Sequence, residues 1–117
     1  VSTQITKTVL DHHFNSALRG DLEAVLMDYA PDAVLLLPEG PRRGISQIKE
    51  FFIAFLNNPP AGIPKAFQKL REDVEGDIAY VVWKAEPGVS LATDTLIIRN
   101  GKIIVQTFAA QFASEIK

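Results

Sequence analysis

The chain contains no cysteine. That excludes disulfides, thiolate zinc sites and cysteine nucleophiles, while leaving the compartment undecided, because disulfide-free proteins occur on both sides of a membrane. Net charge is also small: 12 Lys and Arg stand against 14 Asp and Glu, leaving -2. With no Lys/Arg-rich stripe, neither nucleic acid nor an anionic membrane is expected as a partner. Hydrophobic runs are short, none approaching the ~20 residues of a membrane helix. Val1 to Leu10 lacks the basic-then-apolar pattern of a signal peptide, so the cytoplasm is the default location, with a secreted or processed form left open. No Gly-rich phosphate loop or dinucleotide fingerprint occurs. His12 and His13 are adjacent and point ~100° apart on a helix, so they do not chelate one metal, and no other histidine exists. No metal and no cofactor is expected.

What is present suits one globular domain: 117 residues, 47% of them hydrophobic, enough for a real core over residues 1–117. Ile5, Val9, Leu10, Phe14, Ala17 and Leu18 recur at helical spacing, and Gly20 ends that helix. Asp21 caps a second, through Leu22, Val25 and Leu26 to about Tyr29, before Pro31. A short strand, Ala33 to Leu37, leads to the turn Pro38-Glu39-Gly40-Pro41. A third helix carries Ile45, Ile48, Phe51, Phe52, Phe55 and Leu56 until Asn57-Asn58-Pro59-Pro60. Four strands follow, roughly Lys65–Glu75, Ile78–Glu86, Val89–Arg99 and Lys102–Phe112. Asn100-Gly101 tolerates positive φ at both turn positions, so the last two strands form an antiparallel hairpin. Three helices ahead of a meandering antiparallel sheet make an α+β layout, in which a curved sheet wraps the helices and leaves an internal pocket.

Asp94 interrupts the apolar strand Leu91-Ala92-Thr93-Asp94-Thr95-Leu96-Ile97-Ile98. Alternation turns it to the same face as Ala92, Leu96 and Ile98, where an unpartnered carboxylate is costly. Either a pocket uses it or a neighbouring hydroxyl, amide or histidine satisfies it structurally. His13 has the same two readings, a pocket group or a satisfied core histidine. Phe51, Phe52 and Phe55 read first as core. Arg42 and Arg43 read as solvated turn residues. Tyr80 and Trp83 lie on opposite faces of their strand, and alternation alone does not say which is inward.

The ordered set Gly20-Asp21-Leu22-Glu23-Ala24, Tyr29-Ala30-Pro31-Asp32-Ala33-Val34, Pro38-Glu39-Gly40, Arg43-Gly44-Ile45, Ile48-Lys49-Glu50-Phe51-Phe52, Thr93-Asp94-Thr95-Leu96 and Asn100-Gly101-Lys102-Ile103 resembles the nuclear transport factor 2-like superfamily. That superfamily includes the ketosteroid isomerases and SnoaL-like polyketide cyclases. The resemblance covers nearly the whole chain. It implies a bent cone of sheet and helices around a deep, mostly apolar pocket, commonly dimeric through the sheet. It does not choose a function, since the fold hosts isomerases, cyclases, hydrolases and non-enzymatic binders alike.

Comparison with the isomerases implies particular roles. Their oxyanion-binding tyrosine on the first helix corresponds to His13, and their protonated aspartate donor corresponds to Asp94. Tyr29 matches a tyrosine of their hydrogen-bond network, while Phe52 replaces another. Their general base, an aspartate immediately before the Pro-x-Gly turn, is Leu37 here. A leucine carries no proton, so steroid isomerisation is not expected unless Glu39 reaches inward to substitute. Placement by the same resemblance turns Gln106, Phe108 and Ala110 inward and Thr107, Ala109 and Gln111 outward.

Two functional classes follow. In an enzyme, His13 and Asp94 transfer a proton on a small apolar carbonyl, epoxide or polyketide-like compound, with isomerase, cyclase or hydrolase-like chemistry. In a non-catalytic ligand-binding or interaction domain, the same groups hold a ligand's polar end while Tyr29, Phe52, Phe55, Gln106 and Phe108 line its site. Thr93, Thr95, Ile97, Val105 and Thr107 make the outer face apolar enough for a homodimer through the sheet.

Overall fold

The structure, a computed structural model, describes residues 2–113. The two ends of the predicted domain, residue 1 and residues 114–117, lie outside the described residues. The elements run α1 (Ser2–Leu18), α2 (Leu22–Met27), β1 (Tyr29–Leu37), β2 (Gly40–Arg43), α3 (Gly44–Asn57), β3 (Phe67–Glu75), β4 (Ile78–Ala85), β5 (Val89–Arg99) and β6 (Lys102–Phe112). Three helices precede or interrupt one six-stranded, curved and open sheet in the order β2-β1-β6-β5-β4-β3. This is the α+β layout read from the sequence. No helix among the described residues is long and apolar enough to cross a membrane.

The sheet departs from the expected all-antiparallel meander in one place. β1 pairs with β6 in parallel, so the sheet is mixed. A second difference is β2, expected as turn. Gly40 to Arg43 instead pairs antiparallel with the end of β1, Leu37 opposite Gly40 and Val34 opposite Arg43. β1 also begins at Tyr29, four residues earlier than Ala33. Pro31 lies inside it, in a stretch where the β1–β6 register breaks between Tyr29 and Val34. A proline is tolerated there because no ladder hydrogen bond is required of it.

The hairpin turn behaves as its chemistry demands. Asn100 and Gly101 take φ of 53° and 74°, the left-handed conformations that only such residues adopt at little cost. α1 is laid across the sheet by its buried stripe Thr6, Val9, Leu10, His13 and Ser16. Its first turn is pinned to the β3–β4 turn: Thr6 Oγ1 donates to the Gly76 carbonyl at 2.7 Å, and the Gly76 N–H donates to Thr3 Oγ1 at 2.9 Å. Asp21 caps α2, its carboxylate accepting the Ala24 N–H at 3.1 Å. The core between helices and sheet is filled by Leu10, Val25, Leu35, Ile48, Leu96 and Ile103, each at most 1% exposed.

Candidate functional site

Strand alternation delivers Asp94 inward as expected. Ala92, Asp94, Leu96 and Ile98 are all buried, and Thr93, Thr95 and Ile97 face the other side. The partner strand needs an additional device. A straight two-residue hairpin that pairs Arg99 with Lys102 would bring Thr107 opposite Asp94. Between the pairs Ile98↔Ile103 and Ile97↔Val105, however, β6 carries one extra residue, Ile104. This bulge shifts the residues from Val105 to Gln111 by one and so exchanges their two faces. Phe108 therefore stands opposite Asp94, Gln106 opposite Leu96, and Thr107 turns outward opposite Thr95.

Between α1, α3 and the sheet lies a cavity of about 60 Å³. α3 contributes Phe51, Phe52 and Phe55; α1 contributes His13, Phe14 and Ala17; the sheet contributes Leu35, Trp83, Asp94, Gln106 and Phe108. His13, Phe52, Phe55, Asp94, Gln106 and Phe108, singled out from the sequence, thus surround one space. Tyr29 is not on its wall. It is buried behind His13 and Gln106, joining them. Of the strand-β4 pair, Trp83 is the inward aromatic and Tyr80 the outward one, 38% exposed. Glu39 is exposed in the β1–β2 turn, so it does not stand in for the base that Leu37 lacks.

The polar groups of the cavity form one chain. Trp83 Nε1–H donates to Asp94 Oδ1 at 2.8 Å, and Gln106 Nε2–H donates to Asp94 Oδ2 at 2.9 Å. The Tyr29 hydroxyl donates to Gln106 Oε1, and its oxygen lies 3.4 Å from His13 Nε2. His13 is held edge-on between Tyr29 and Phe52, with ring centroids 5.3 and 6.0 Å away.

On the far side of the His13 ring sits a residue that sequence reasoning missed. Asp28, immediately after α2, brings Oδ2 to 3.5 Å from His13 Nδ1, and its carboxylate accepts the Nδ1–H of His12 at 2.8 Å. His12 therefore has a partner at the surface end of the same cluster. Arg42 is not simply solvated either, since its guanidinium lies 5.9 Å from the ring centroid of Phe51.

Burial raises the Asp94 carboxyl to about 6, opposed by the hydrogen bonds from Trp83 and Gln106 and by the nearby His13. Both its oxygens are acceptors in this arrangement, which suits the ionised form. Tyr29 is pushed well above the usual phenol range, by burial first and then by the charges of Asp94 and Asp28. Its hydroxyl keeps its proton and remains available as a donor.

No family model and no curated protein matches the chain. Solved structures do. A nuclear transport factor 2-like protein of unknown function from Mesorhizobium loti is 15% identical with a TM-score of 0.78, over 95% of this chain and 94% of that one. The epoxide hydrolase/cyclase-like enzyme SalBIII, described in pyran ring formation in the polyether salinomycin, is 16% identical with a TM-score of 0.77, over 92% of each chain. A candidate ketosteroid isomerase from Kribbella flavida is 16% identical with a TM-score of 0.73, over 97% of this chain and 83% of that one. Likeness of this extent, along nearly the full length of both partners, is likeness of fold, and this chain has the nuclear transport factor 2-like fold.

Proposed function

We propose that the cavity binds a small, mostly apolar molecule through one oxygen atom, and that His13 and Asp94 move a proton at that oxygen. The observation supporting this is the single polar cluster, His13, Gln106 and Asp94, in a wall otherwise made of aromatic and aliphatic side chains. Such a wall buries a ligand's body while the cluster orients its one polar end. His13 is oriented from both sides, with Asp28 Oδ2 3.5 Å from Nδ1 and the Tyr29 hydroxyl 3.4 Å from Nε2, so its ring is linked to the buried proton chain that ends on Asp94. A volume of about 60 Å³ is several times the roughly 10–15 Å³ that one water needs, which favours a small ring or short chain over a steroid. A carbonyl or an epoxide oxygen fits this chemistry. The likeness to SalBIII, itself described as epoxide hydrolase/cyclase-like, supports keeping the epoxide.

A non-catalytic binder is the second reading, favoured by one observation: both Asp94 oxygens are already occupied by donors from the protein. Native mass spectrometry with cyclohexanone and with cyclohexene oxide is expected to give one-to-one adducts, with diol formed from the epoxide detectable by gas chromatography. Adducts without diol would leave the binder. Neither adduct nor product would remove both readings.

The outer face of the sheet supports a homodimer. Ile97, Thr95 and Thr93 on β5 lie beside Val105, Thr107 and Ala109 on β6 and beside Ile78, Tyr80 and Val82 on β4. Ile78 is 48% exposed. Charged residues on this face lie toward its margins: Arg71, Asp73 and Glu75 on the β3 edge opposite Val82, Tyr80 and Ile78, Lys84 near the end of β4 and Arg99 at the end of β5. An apolar centre with a charged rim is self-complementary under a two-fold axis.

A further inference from the structure

We propose that Gln106 is a reversible relay, its carboxamide taking either of two orientations according to whether Asp94 carries a proton, and that it thereby sets which nitrogen of His13 is protonated. This deepens the proposed pocket chemistry and rests on that reading for its use, but its test needs no ligand.

Each donor along this buried chain must meet an acceptor. Trp83 has only an N–H to offer, so Asp94 Oδ1 is an acceptor whatever the pH. The remaining oxygen, Oδ2, faces Gln106. When Asp94 is ionised, Oδ2 must accept, so Gln106 presents its NH2 to Asp94 and its carbonyl oxygen to Tyr29. That carbonyl requires a donor, and the Tyr29 hydroxyl supplies it. With its proton so committed, Tyr29 offers His13 only a lone pair, and His13 Nε2 must carry a hydrogen to meet it across 3.4 Å.

Protonating Asp94 at Oδ2 inverts every step. The carboxyl O–H now donates, so Gln106 turns its carbonyl oxygen to Asp94 and its NH2 to Tyr29. Tyr29, receiving a donor, directs its own hydroxyl at His13 Nε2, which must be bare. The proton of a neutral His13 then belongs on Nδ1, which makes no hydrogen bond in the present arrangement and lies 3.5 Å from Asp28 Oδ2. A carboxamide is suited to this role because oxygen and NH2 are nearly equal in size, so rotation by 180° preserves packing while exchanging donor for acceptor. Leucine at this position has no such second state. Gln106 is 3% exposed and Tyr29 is 4% exposed, so this chain runs through the protein interior.

The titratable groups around the chain are few. β5 gives Asp94, β1 gives Tyr29, α1 gives His13 and, at its surface end, His12, and the residue after α2 gives Asp28. α3 faces the cavity with Phe51, Phe52 and Phe55, β4 with Trp83 and β6 with Gln106 and Phe108, none of which titrates. Lys102, at the start of β6, is turned to the Met27 carbonyl, to which Nζ donates at 2.6 Å.

The test is the 15N spectrum of the His13 ring in the free protein at pH 8, assigned through a His12→Gln variant. In the wild type Nε2 is expected to bear a hydrogen. In Asp94→Asn, where the substituted carboxamide still accepts from Trp83 and now donates to Gln106, Nε2 is expected to be bare and Nδ1 protonated. Introducing Gln106→Leu into both backgrounds is expected to make their His13 spectra the same. If that change unfolds the protein, Tyr29→Phe cuts the chain one link further on with the same expectation. An identical His13 Nε2 state in wild type and Asp94→Asn would overturn the relay. So would a difference that persists after the chain is cut.

Discussion

The Trp83 indole N–H donates to Asp94 Oδ1 at 2.8 Å, while the indole ring lies stacked over Phe108, with 10° between the planes. Phe108 in turn stands directly opposite Asp94 across the last hairpin. A single tryptophan thus holds the buried carboxylate by its edge and the aromatic cavity wall by its face. Several consequences of that arrangement are measurable.

Asp94 makes stability depend on pH with a definite sign. Its carboxyl titrates at about 6 in the folded chain against 3.8 without burial, so between these values the folded state holds the proton more tightly. Its contribution is complete below about pH 4 and is lost as pH rises through 6. The full loss is about 3 kcal/mol. Asp94→Asn lacks this loss, so urea denaturation is expected to show the variant gaining on the wild type between pH 4 and pH 7. A wild-type minus variant difference that is the same at both pH values would contradict it.

Trp83→Phe removes the indole N–H while keeping a ring against Phe108. Asp94 Oδ1 is then a buried acceptor without a donor, a loss of about 1–3 kcal/mol at pH 7. The carboxyl is also freed from one group that holds its pKa down, so it moves further up and the penalty shrinks by pH 5. Urea midpoints at the two pH values measure this. Equal destabilisation at both would show that the indole acts by packing alone.

The proposed dimer places the outer sheet face in contact with its copy. Sedimentation at micromolar concentration is expected to give twice the 12.9 kDa chain mass. Thr95→Arg, at the centre of that face between Tyr80 and Thr107, is expected to give a folded monomer. A wild-type monomer would remove the proposal.

Leu37 bears on isomerisation. With a leucine at the position of the isomerase base and Glu39 exposed, turnover of a β,γ-unsaturated 3-ketosteroid, followed by the absorbance of the conjugated product, is expected to be negligible. A rate of roughly 1 per second or faster would reveal another base.

Much of this fold was readable because its signals are local. The alternation around Asp94, the Asn100-Gly101 turn and the helical spacing of Ile5, Val9, Leu10, Phe14, Ala17 and Leu18 each act over a few residues, although the buried stripe of α1 is turned to Thr6, Val9, Leu10, His13 and Ser16 and leaves Ile5 exposed. What escaped is long-range. Tyr29 sits beside Ile103 in a parallel pair that no local pattern announces, and the short strand Gly40–Arg43 reads as turn because it contains glycine, proline and two arginines. The bulge at Ile104 leaves no mark among the apolar residues Ile103, Ile104 and Val105, yet it decides that Gln106 rather than Thr107 meets the cavity. Asp28 falls inside the predicted second helix and carries no local signal of its own. Only the folding of α2 back against α1 brings it to His12 and His13.

The proposed function has the His13, Gln106 and Asp94 cluster anchor a ligand whose body lies against the aromatic wall. Trp83, the chain's one tryptophan, sits on that wall and reports on it directly. Its emission is to be followed during titration with cyclohexanone in wild type and in Asp94→Ala. A saturable change is expected in the wild type, with affinity weakened about 5- to 150-fold in the variant, the equivalent of about 1–3 kcal/mol from an unmatched polar group. Saturable binding of equal affinity in both, with the variant merely melting earlier, would show that Asp94 is structural and would contradict the account.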